Sequence, residues 1–360
     1  VSAISVASRT VAQKSTIPAL EGIYIRAGVK LTLSGYNLET GITISVDAEI
    51  QQTGACIMPS RLFFDIIRKL PGDTVSISVD EKFKVSIRGG ISSFSITAMS
   101  SEDYPELPEV ESDKGISLPQ NELKAMIGGT SFAVSENQAR PIHTGCLFEV
   151  EDSSITVVAV DGYRLALRRW KSEEPIGRTL KFVVPAAALK EAEKILGDTD
   201  EACTFFLGSK HILFTIGEAT LVCRLLEGEF LDWRRVLPQN QPVKLAVNVA
   251  KMTDSIERVG LIISEKLKSP VRCKFGENTA DFRSVSTIGE AHDVCQIAGD
   301  GQDMEIGFNC RYLLDALRAI PDAECSLELI NGLSPIVMNP CDGSERYSYM
   351  VLPVRLKAGE

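Results

Sequence analysis

Residues 58–73 read MPSRLFFDIIRKLPGD. Proline stands where a first helical turn tolerates it, apolar residues follow at spacings of three and four, and Pro71-Gly72-Asp73 ends the run. This pattern predicts an amphipathic helix, and the rest of the chain is organised around copies of it.

Two further stretches repeat this helix, beginning at Val184-Pro185 and at Phe308-Asn309. The starts at residues 58, 184 and 308 are separated by 126 and 124 residues. In this register acidic residues coincide at Asp65, Glu191 and Asp315, and cations coincide at Arg68, Lys194 and Arg318. Alternating apolar runs after each helix predict paired strands. The sequence therefore predicts an α+β fold built from three tandem copies of one helix-and-sheet unit.

Polar, glycine and proline residues cluster near 112–115 and near 238–242, which places the predicted domains at 1–115, 116–241 and 242–360. The second and third domains open with apolar strands near 116–118 and 245–247. The first has no such strand before its helix. By comparison with the other two, we expect about ten further residues in the native protein to supply it.

Composition excludes several classes of protein. The 360 residues are 44% apolar, and neither a membrane span nor a signal peptide is visible, so a cytoplasmic location is expected. Nine widely spaced cysteines without a CxxC motif predict reduced core thiols. The net charge of −10 disfavours nonspecific nucleic-acid binding by the whole surface but does not exclude a small basic patch.

Catalytic and metal motifs are weak. The three histidines His143, His211 and His292 form no HExxH motif and no Cys/His pairing at metal spacing, and no GxSxG occurs. We therefore predict no enzyme, no cofactor and no metal. A β-rich enzyme with an unrecognised active site remains an alternative.

The repeated cations at Arg68, Lys194 and Arg318 have two interpretations. A cation in the last turn of a helix complements the helix dipole, and this explains each one singly. Alternatively, three equivalent helices present their cations together to phosphates.

The chain ends in the apolar run Tyr349-Met350-Val351-Leu352-Pro353-Val354-Arg355-Leu356. Alternation predicts a strand whose end Pro353 keeps extended, and the simplest role for it is to close a sheet.

Four stretches together carry a resemblance to a known family. They are Asp161-Gly162-Tyr163-Arg164-Leu165, the run from Gly228 to Pro238, Met304-Glu305-Ile306-Gly307-Phe308-Asn309, and Val351 to Leu356. In this order, and with three tandem units, the chain resembles the bacterial DNA polymerase III beta subunits, the sliding clamps. The resemblance covers essentially the whole chain.

The resemblance implies a head-to-tail homodimer whose six domains form a ring, with helices inside, sheets outside and duplex DNA through the hole. It implies a non-catalytic processivity factor that tethers the replicative polymerase. The implied partners are the polymerase III alpha subunit, the clamp-loader delta subunit and other proteins with a clamp-binding motif. A peptide-binding scaffold without DNA is the second alternative.

The resemblance also implies site residues. A groove between the second and third domains would take a partly apolar peptide and would be formed by His143, Val160, Gly162, Tyr163, Arg164, Leu165, Pro238, Asn309, Tyr312, Leu333, Pro335, Met350, Leu352, Pro353, Val354 and Arg355. Gly162 would permit a turn that brings Arg164 to the rim. His143 stands where an aliphatic residue is common in the family.

DNA would face the basic residues Lys14, Arg68, Arg140, Lys194 and Arg318. The subunit interface would pair Tyr104 and Leu107 of one chain with Ile262 and Ile263 of the other, and burial in a domain core is the alternative for these four apolar residues.

Overall fold

The computed structural model describes residues 1–111, 113–263 and 269–356. In this part of the chain the α-helices are α1 (Ser2–Ser8), α2 (Ser60–Lys69), α3 (Gln120–Gly128), α4 (Ala186–Ile195), α5 (Val249–Gly260) and α6 (Cys310–Arg318). The predicted repeat helices thus correspond to α2, α4 and α6. Short 3-10 helices lie at Pro18–Glu21, Ser101–Asp103, Ser131–Ala133, Pro141–Thr144 and Trp233–Arg235.

Strands lie between these helices along the chain. The first nine are β1 (Gly22–Ala27), β2 (Leu31–Tyr36), β3 (Thr40–Val46), β4 (Gly54–Pro59), β5 (Ser76–Val79), β6 (Lys84–Gly89), β7 (Ser92–Thr97), β8 (Met99–Ser100) and β9 (Ile116–Pro119). The next seven are β10 (Gly145–Glu151), β11 (Ser154–Val160), β12 (Arg164–Lys171), β13 (Leu180–Pro185), β14 (Ala202–Leu207), β15 (His211–Ile216) and β16 (Ala219–Arg224). The last six are β17 (Val243–Asn248), β18 (Val271–Ser286), β19 (Gly289–Phe308), β20 (Glu324–Leu329), β21 (Ile336–Pro340) and β22 (Tyr347–Val351).

The chain folds into two compact units. The first unit comprises Val1–Lys124 with Glu191–Leu225, and the second comprises Ala125–Lys190 with Leu226–Glu360.

The first unit contains a nine-stranded sheet in the order β8-β4-β1-β2-β3-β16-β15-β14-β9 and a three-stranded sheet in the order β5-β6-β7. Antiparallel pairing of β3 with β16 sets Ile42 opposite Leu221 and so joins strands from the first and second sequence repeats. Apolar side chains of α1 and α2, among them Ile4, Phe63 and Ile66, are buried in a core with the neighbouring strands.

The second unit is organised around a ten-stranded sheet in the order β13-β10-β11-β12-β22-β21-β20-β17-β19-β18. Here β12 pairs antiparallel with β22, which sets Leu165 opposite Met350 and joins the second and third repeats. Pairing between strands of successive repeats therefore occurs once in each unit.

The repeated charged positions form the ion pairs expected of helix surfaces in two of the three helices. Asp65 pairs with Arg68 at 3.0 Å and Glu191 pairs with Lys194 at 2.7 Å, three residues apart in each case. In α6 the pattern changes, because Asp315 pairs with Arg164 and Arg318 pairs with Glu257. Such intrahelical pairs on a helix surface contribute little stability, about 0.5 kcal/mol each.

The nine cysteines are free thiols, and most of them are buried, as the sequence predicted. Burial raises the pKa of the Cys203 and Cys56 thiols to about 11 and that of Cys223 to about 12. Among the described residues no helix is long and apolar enough to cross a membrane. Within the same residues no three His, Cys, Asp or Glu side chains converge as a metal site.

Helix α1 approaches strand β2 closely at Gly35. A Cβ atom at this position would overlap the carbonyl oxygen of Ala7 and touch Thr10, whose hydroxyl donates to the Gly35 carbonyl at 2.8 Å. Backbone atoms of a helix cannot move away cheaply, so only glycine fits here.

We therefore expect Gly35→Ala to destabilise the protein by about 1–3 kcal/mol, because the helix must shift from the sheet. The midpoint of urea-induced unfolding measures the effect. Gly54→Ala is the matched control, since a Cβ at Gly54 would meet nothing within 4 Å. Equal effects of the two substitutions would show that the close approach of α1 does not matter.

Candidate peptide-binding groove

The C-terminal run leaves its sheet earlier than the sequence predicts. Strand β22 ends at Val351, whereas alternation predicted a strand through Val354. The Leu352 amide donates to the Tyr163 carbonyl at 2.8 Å, and the Val354 amide donates to the Gly307 carbonyl at 2.8 Å. Pro353 lies between them and has no N–H to continue a ladder. The run is therefore held by single hydrogen bonds to two different segments.

The turn that precedes β12 lies beside this run. Gly162 adopts a φ of 91°, a conformation that favours glycine. The Asp161 carboxylate closes the turn by accepting hydrogen bonds from the backbone amides of Tyr163 at 2.9 Å and Arg164 at 3.1 Å. Residues 162–165 and 350–352, which the resemblance assigned to one groove, are thus neighbours in the structure.

Apolar side chains under these two segments form one cluster. Val160, Leu165 and Met350 are buried in it, and Leu352 packs against it half-buried. Leu165 is only 2% exposed, so it lies in the floor rather than in an open wall. Three apolar side chains in the segments that adjoin these strands are exposed at the surface: Tyr163 at 62%, Leu333 at 81% and Val354 at 37%.

Arg164 was predicted to reach the rim of the groove, and this prediction was wrong. Its side chain is only 7% exposed, and each of its three nitrogens donates to a neighbouring group. Nε donates to Asp161 at 2.9 Å, Nη1 donates to Asp315 at 2.6 Å and Nη2 donates to the carbonyl of Phe132 at 2.6 Å. The guanidinium is therefore directed into the protein rather than to the rim.

Helix α6 contributes Asn309 and Tyr312. Asn309 caps the helix, since its side-chain oxygen accepts from the Tyr312 amide at 3.3 Å. The Tyr312 ring stacks with the exposed Tyr163 ring at a centroid distance of 6.1 Å and lies 4.3 Å from the Arg164 guanidinium carbon. Burial, followed by the nearby Asp161 carboxylate, raises the pKa of the Tyr312 phenol. The phenol therefore stays neutral at physiological pH.

His143 belongs to the same region through its contact with Phe230, an edge-on packing at 5.0 Å between ring centroids. Burial, and then the positive charge of Arg140, lower the pKa of His143. Its Nδ1 atom is buried and has no hydrogen-bond partner within the described chain. The imidazole is therefore neutral at pH 7 and acts as a largely apolar wall.

The remaining predicted groove residues lie at or near the surface. Pro238 and Pro335 are half-buried, and Pro353 likewise, while Arg355 is exposed. Leu333 sits in a turn in which its amide donates to the Asn331 side chain at 2.9 Å.

The resemblance assigned only Pro238 to the groove from the segment that covers one side of the cluster. Phe230 and Trp233 are buried in it, and Leu237, rather than the predicted Pro238, packs against it. The segment is anchored by Glu149 of β10, which accepts from the Trp233 indole at 3.0 Å and from Arg234 at 2.8 Å. A carboxylate between Phe148 and Val150 in a buried strand was the available signal, because such a charge needs a partner.

The predicted DNA-facing residues are all exposed, in both units. Lys14 and Arg140 lie in loops, whereas the three helical cations Arg68, Lys194 and Arg318 each pair with a carboxylate.

The predicted interface residues differ from one another in their packing. Tyr104 stacks on Tyr24 at 5.0 Å, and Leu107 packs against Gly41, so both are engaged inside the first unit. Ile262 and Ile263 follow α5 and are half-buried.

Comparison with known proteins places the chain in a family. Three family models match it in tandem: the DNA polymerase III beta subunit N-terminal domain at residues 1–108, the central domain at 117–232 and the C-terminal domain at 234–355. The chain belongs to the DNA polymerase III beta subunit family.

The similarity extends over whole proteins. The chain is 33% identical to the beta sliding clamp of Staphylococcus epidermidis over 96% of its length and 94% of the relative's, and 32% identical to that of Staphylococcus aureus with the same coverage. It superposes on the DNA polymerase sliding clamp of Bacillus subtilis with a TM-score of 0.93 at 30% identity, over 99% of this chain and 96% of that one. The predicted fold of three tandem domains, the function as a DNA sliding clamp and processivity factor, and the non-catalytic role are confirmed.

Glu149 offers a test of how the covering segment is held. We expect Glu149→Gln to destabilise the protein by about 1–3 kcal/mol, because the amide can satisfy Trp233 and Arg234 less well than the buried carboxylate does. The change in the free energy of unfolding is measured by urea denaturation, monitored through tryptophan fluorescence.

Glu151→Gln is the matched control. Glu151 also pairs with Arg234, at 3.2 Å, but is 54% exposed, so its loss should cost less than about 0.5 kcal/mol. If both variants unfold at the same midpoint as the parent protein, Glu149 does not anchor the segment.

Proposed function

We propose that this chain forms a head-to-tail homodimer, a ring of six domains that encircles duplex DNA. The domains are those expected from the sequence, 1–115, 116–241 and 242–360. The observation that carries the proposal is the repeated junction: β3 pairs with β16, and β12 pairs with β22, each time joining one repeat to the next. Two strand edges remain unused at equivalent positions, β7 in the first repeat and residues 289–296 of β19 in the third. Pairing these edges between two copies closes the ring after two subunits.

The internal junctions also give the register of this contact. Leu221 faces Ile42 and Tyr349 faces Ala166. Phe94 corresponds to Leu221, because each lies four residues after a hairpin glycine with a φ of 55°. Ala291 lies 125 residues after Ala166, at the repeat spacing. Phe94 should therefore face Ala291 of the partner subunit.

Exposure of the two edges supports the same contact. Phe94 is 39% exposed on β7, and Ile262 and Ile263 are half-buried at the end of α5. Apolar side chains on unpaired strand edges are protected in native proteins by pairing or covering. We infer that Phe94, together with Ile262 and Ile263, forms the apolar centre of the subunit interface.

A disulfide tests this register. Ser93→Cys combined with His292→Cys, in a Cys341→Ser background, should give an intersubunit crosslink on mild oxidation, because directly opposite residues lie within disulfide reach. Non-reducing gel electrophoresis detects the crosslinked dimer. Ser78→Cys with His292→Cys is the control, since β5 is two strands away from the proposed contact. A dimer by sedimentation without a crosslink would refute the register.

Retention on DNA is proposed to be topological, not a matter of tight binding. The net charge is −10, and the helical cations Arg68, Lys194 and Arg318 are partly neutralised by Asp65, Glu191 and Glu257. Such a surface makes weak, salt-sensitive phosphate contacts that allow sliding. Lys14 and Arg140 are proposed to approach the duplex from their loops. DNA lies in the bacterial cytoplasm, where we propose that the protein acts.

Circular DNA distinguishes encirclement from binding. Protein loaded onto a nicked plasmid should remain through gel filtration at about 0.5 M salt, at which simple phosphate contacts are screened. It should dissociate after the plasmid is cut once. Retention that is unchanged by linearisation would refute encirclement, and failure to be retained on the circle would do the same.

The groove is proposed to bind the polymerase III alpha subunit, the clamp-loader delta subunit and other proteins through a short, partly apolar peptide. Its sixteen residues are those named from the sequence, with Leu165 and Met350 as floor. Half-buried Leu352, exposed Tyr163 and exposed Leu333 supply apolar contact area for Leu and Phe side chains. Neutral His143 and the cluster around Trp233 keep that area free of charge.

Removal of the chain from Leu352 onward tests the groove. The deletion removes the two hydrogen bonds to Tyr163 and Gly307 but leaves β22 intact. We expect loss of binding to a short peptide containing Leu and Phe, measured by fluorescence anisotropy, because one side of the groove is gone. Dimerisation, measured by sedimentation, should be unchanged. Undiminished peptide binding would place the site elsewhere.

A further inference from the structure

We propose that Arg164 is a positioning residue of this groove: its buried cation fixes the turn at residues 161–164 against helix α6, and it makes no contact with the bound peptide. The inference rests on the proposed peptide-binding function. In this role Arg164 holds the free groove in the shape that binds the peptide.

Arg164 is held by hydrogen bonds within the protein, and its burial leaves it almost inaccessible to a ligand. Its three guanidinium nitrogens bond to Asp161, to Asp315 and to the Phe132 carbonyl, so each nitrogen serves a separate element. The side chain is 7% exposed. These partners come from the β11–β12 turn, from α6 and from a 3-10 helix, and Arg164 is the group that they share.

Aromatic rings fix the plane of the guanidinium. Its carbon lies 4.3 Å from the Tyr312 ring centroid and 5.4 Å from that of Phe132. A planar guanidinium suits stacking of this kind, whereas the ammonium of a lysine does not. Tyr312 stacks in turn with Tyr163, the most exposed aromatic ring at the groove. The position of Tyr163 therefore depends on Arg164.

A chain of polar contacts runs from α6 to the C-terminal run. Asp315 binds Arg164, Arg164 binds Asp161, and Asp161 accepts from the Tyr163 amide. The Tyr163 carbonyl then accepts from the Leu352 amide. Both sides of the groove are thus connected to α6 through one cation.

The sequence repeat shows that this contact replaces an ordinary one. At the equivalent positions Asp65 and Glu191 pair with a cation three residues later in their own helices. Asp315 pairs with Arg164 instead, and Arg318 finds Glu257 on α5. A buried ion pair of this kind adds little net stability, because desolvation offsets its attraction. The pair instead fixes the position of the turn at residues 161–164 against α6.

The variant Asp315→Asn distinguishes a positioning role of Arg164 from direct contact between Arg164 and the peptide. If Arg164 only positions, this variant and Arg164→Lys should each weaken binding of the Leu- and Phe-containing peptide by about tenfold. The double variant should be no weaker than either single one, because both remove the same connection. Asp65→Asn, which removes the equivalent carboxylate of the first repeat, should bind normally. If Arg164→Lys weakens binding while Asp315→Asn binds like the parent protein, Arg164 contacts the peptide and the proposal is wrong.

Hydrogen exchange of the free protein gives an answer that does not depend on the peptide. In Asp315→Asn the amides of Tyr163, Arg164 and Leu352 should exchange faster, whereas those of β14 and β15 should be unchanged. Unchanged exchange at all three amides would overturn the proposal, as would faster exchange throughout the second unit, which would indicate general destabilisation. If the parent protein fails to bind the peptide, the proposed groove function fails, and the exchange result still decides the role of Arg164.

Discussion

Antiparallel main-chain pairing between strands of successive repeats is the constraint on which the rest of the structure depends. It occurs between β3 and β16 and again between β12 and β22, so each sheet extends beyond one repeat. Such pairing satisfies the backbone groups of both edges and fixes the register wherever one face is buried. The proposed groove lies where the second of these junctions sets the turn before β12 beside the end of β22. The proposed subunit contact uses the same rule between two chains.

The charges follow from what a sliding protein requires. Exposed cations on α2, α4 and α6 are each balanced by a carboxylate within hydrogen-bond distance, and the whole chain is acidic. Phosphate contacts made by such cations are weak because each must compete with its carboxylate. Of the two interpretations of these cations, the structure shows the local pairing, and contact with phosphate is part of the proposal.

The apolar cluster beneath the proposed groove is assembled by contacts within the chain itself. Leu165 and Met350 are already covered, and the Glu149 carboxylate holds the segment with Trp233 in place. A preformed apolar site lowers the entropy lost on binding a flexible peptide. The peptide then needs only a few anchors, which fits the small amount of apolar surface that Tyr163, Leu333 and Val354 leave exposed.

The sequence by itself determined the repeat, the helices, the strand pairs that follow them and the family. These properties depend on periodicity and on local signals such as the proline before a helix and the Pro-Gly-Asp after it, which neighbours in the chain supply. Tertiary structure decided the direction of the Arg164 side chain, the end of β22 at Val351 and the role of Glu149 as an anchor.

Asp315 shows why the sequence alone could not decide these features. Its equivalents Asp65 and Glu191 pair with a cation three residues later in the same helix, whereas Asp315 pairs with the buried cation of Arg164, 151 residues away in sequence. Contacts between distant segments leave no periodic trace in a single sequence, so only the folded chain could show which partner each buried charge has.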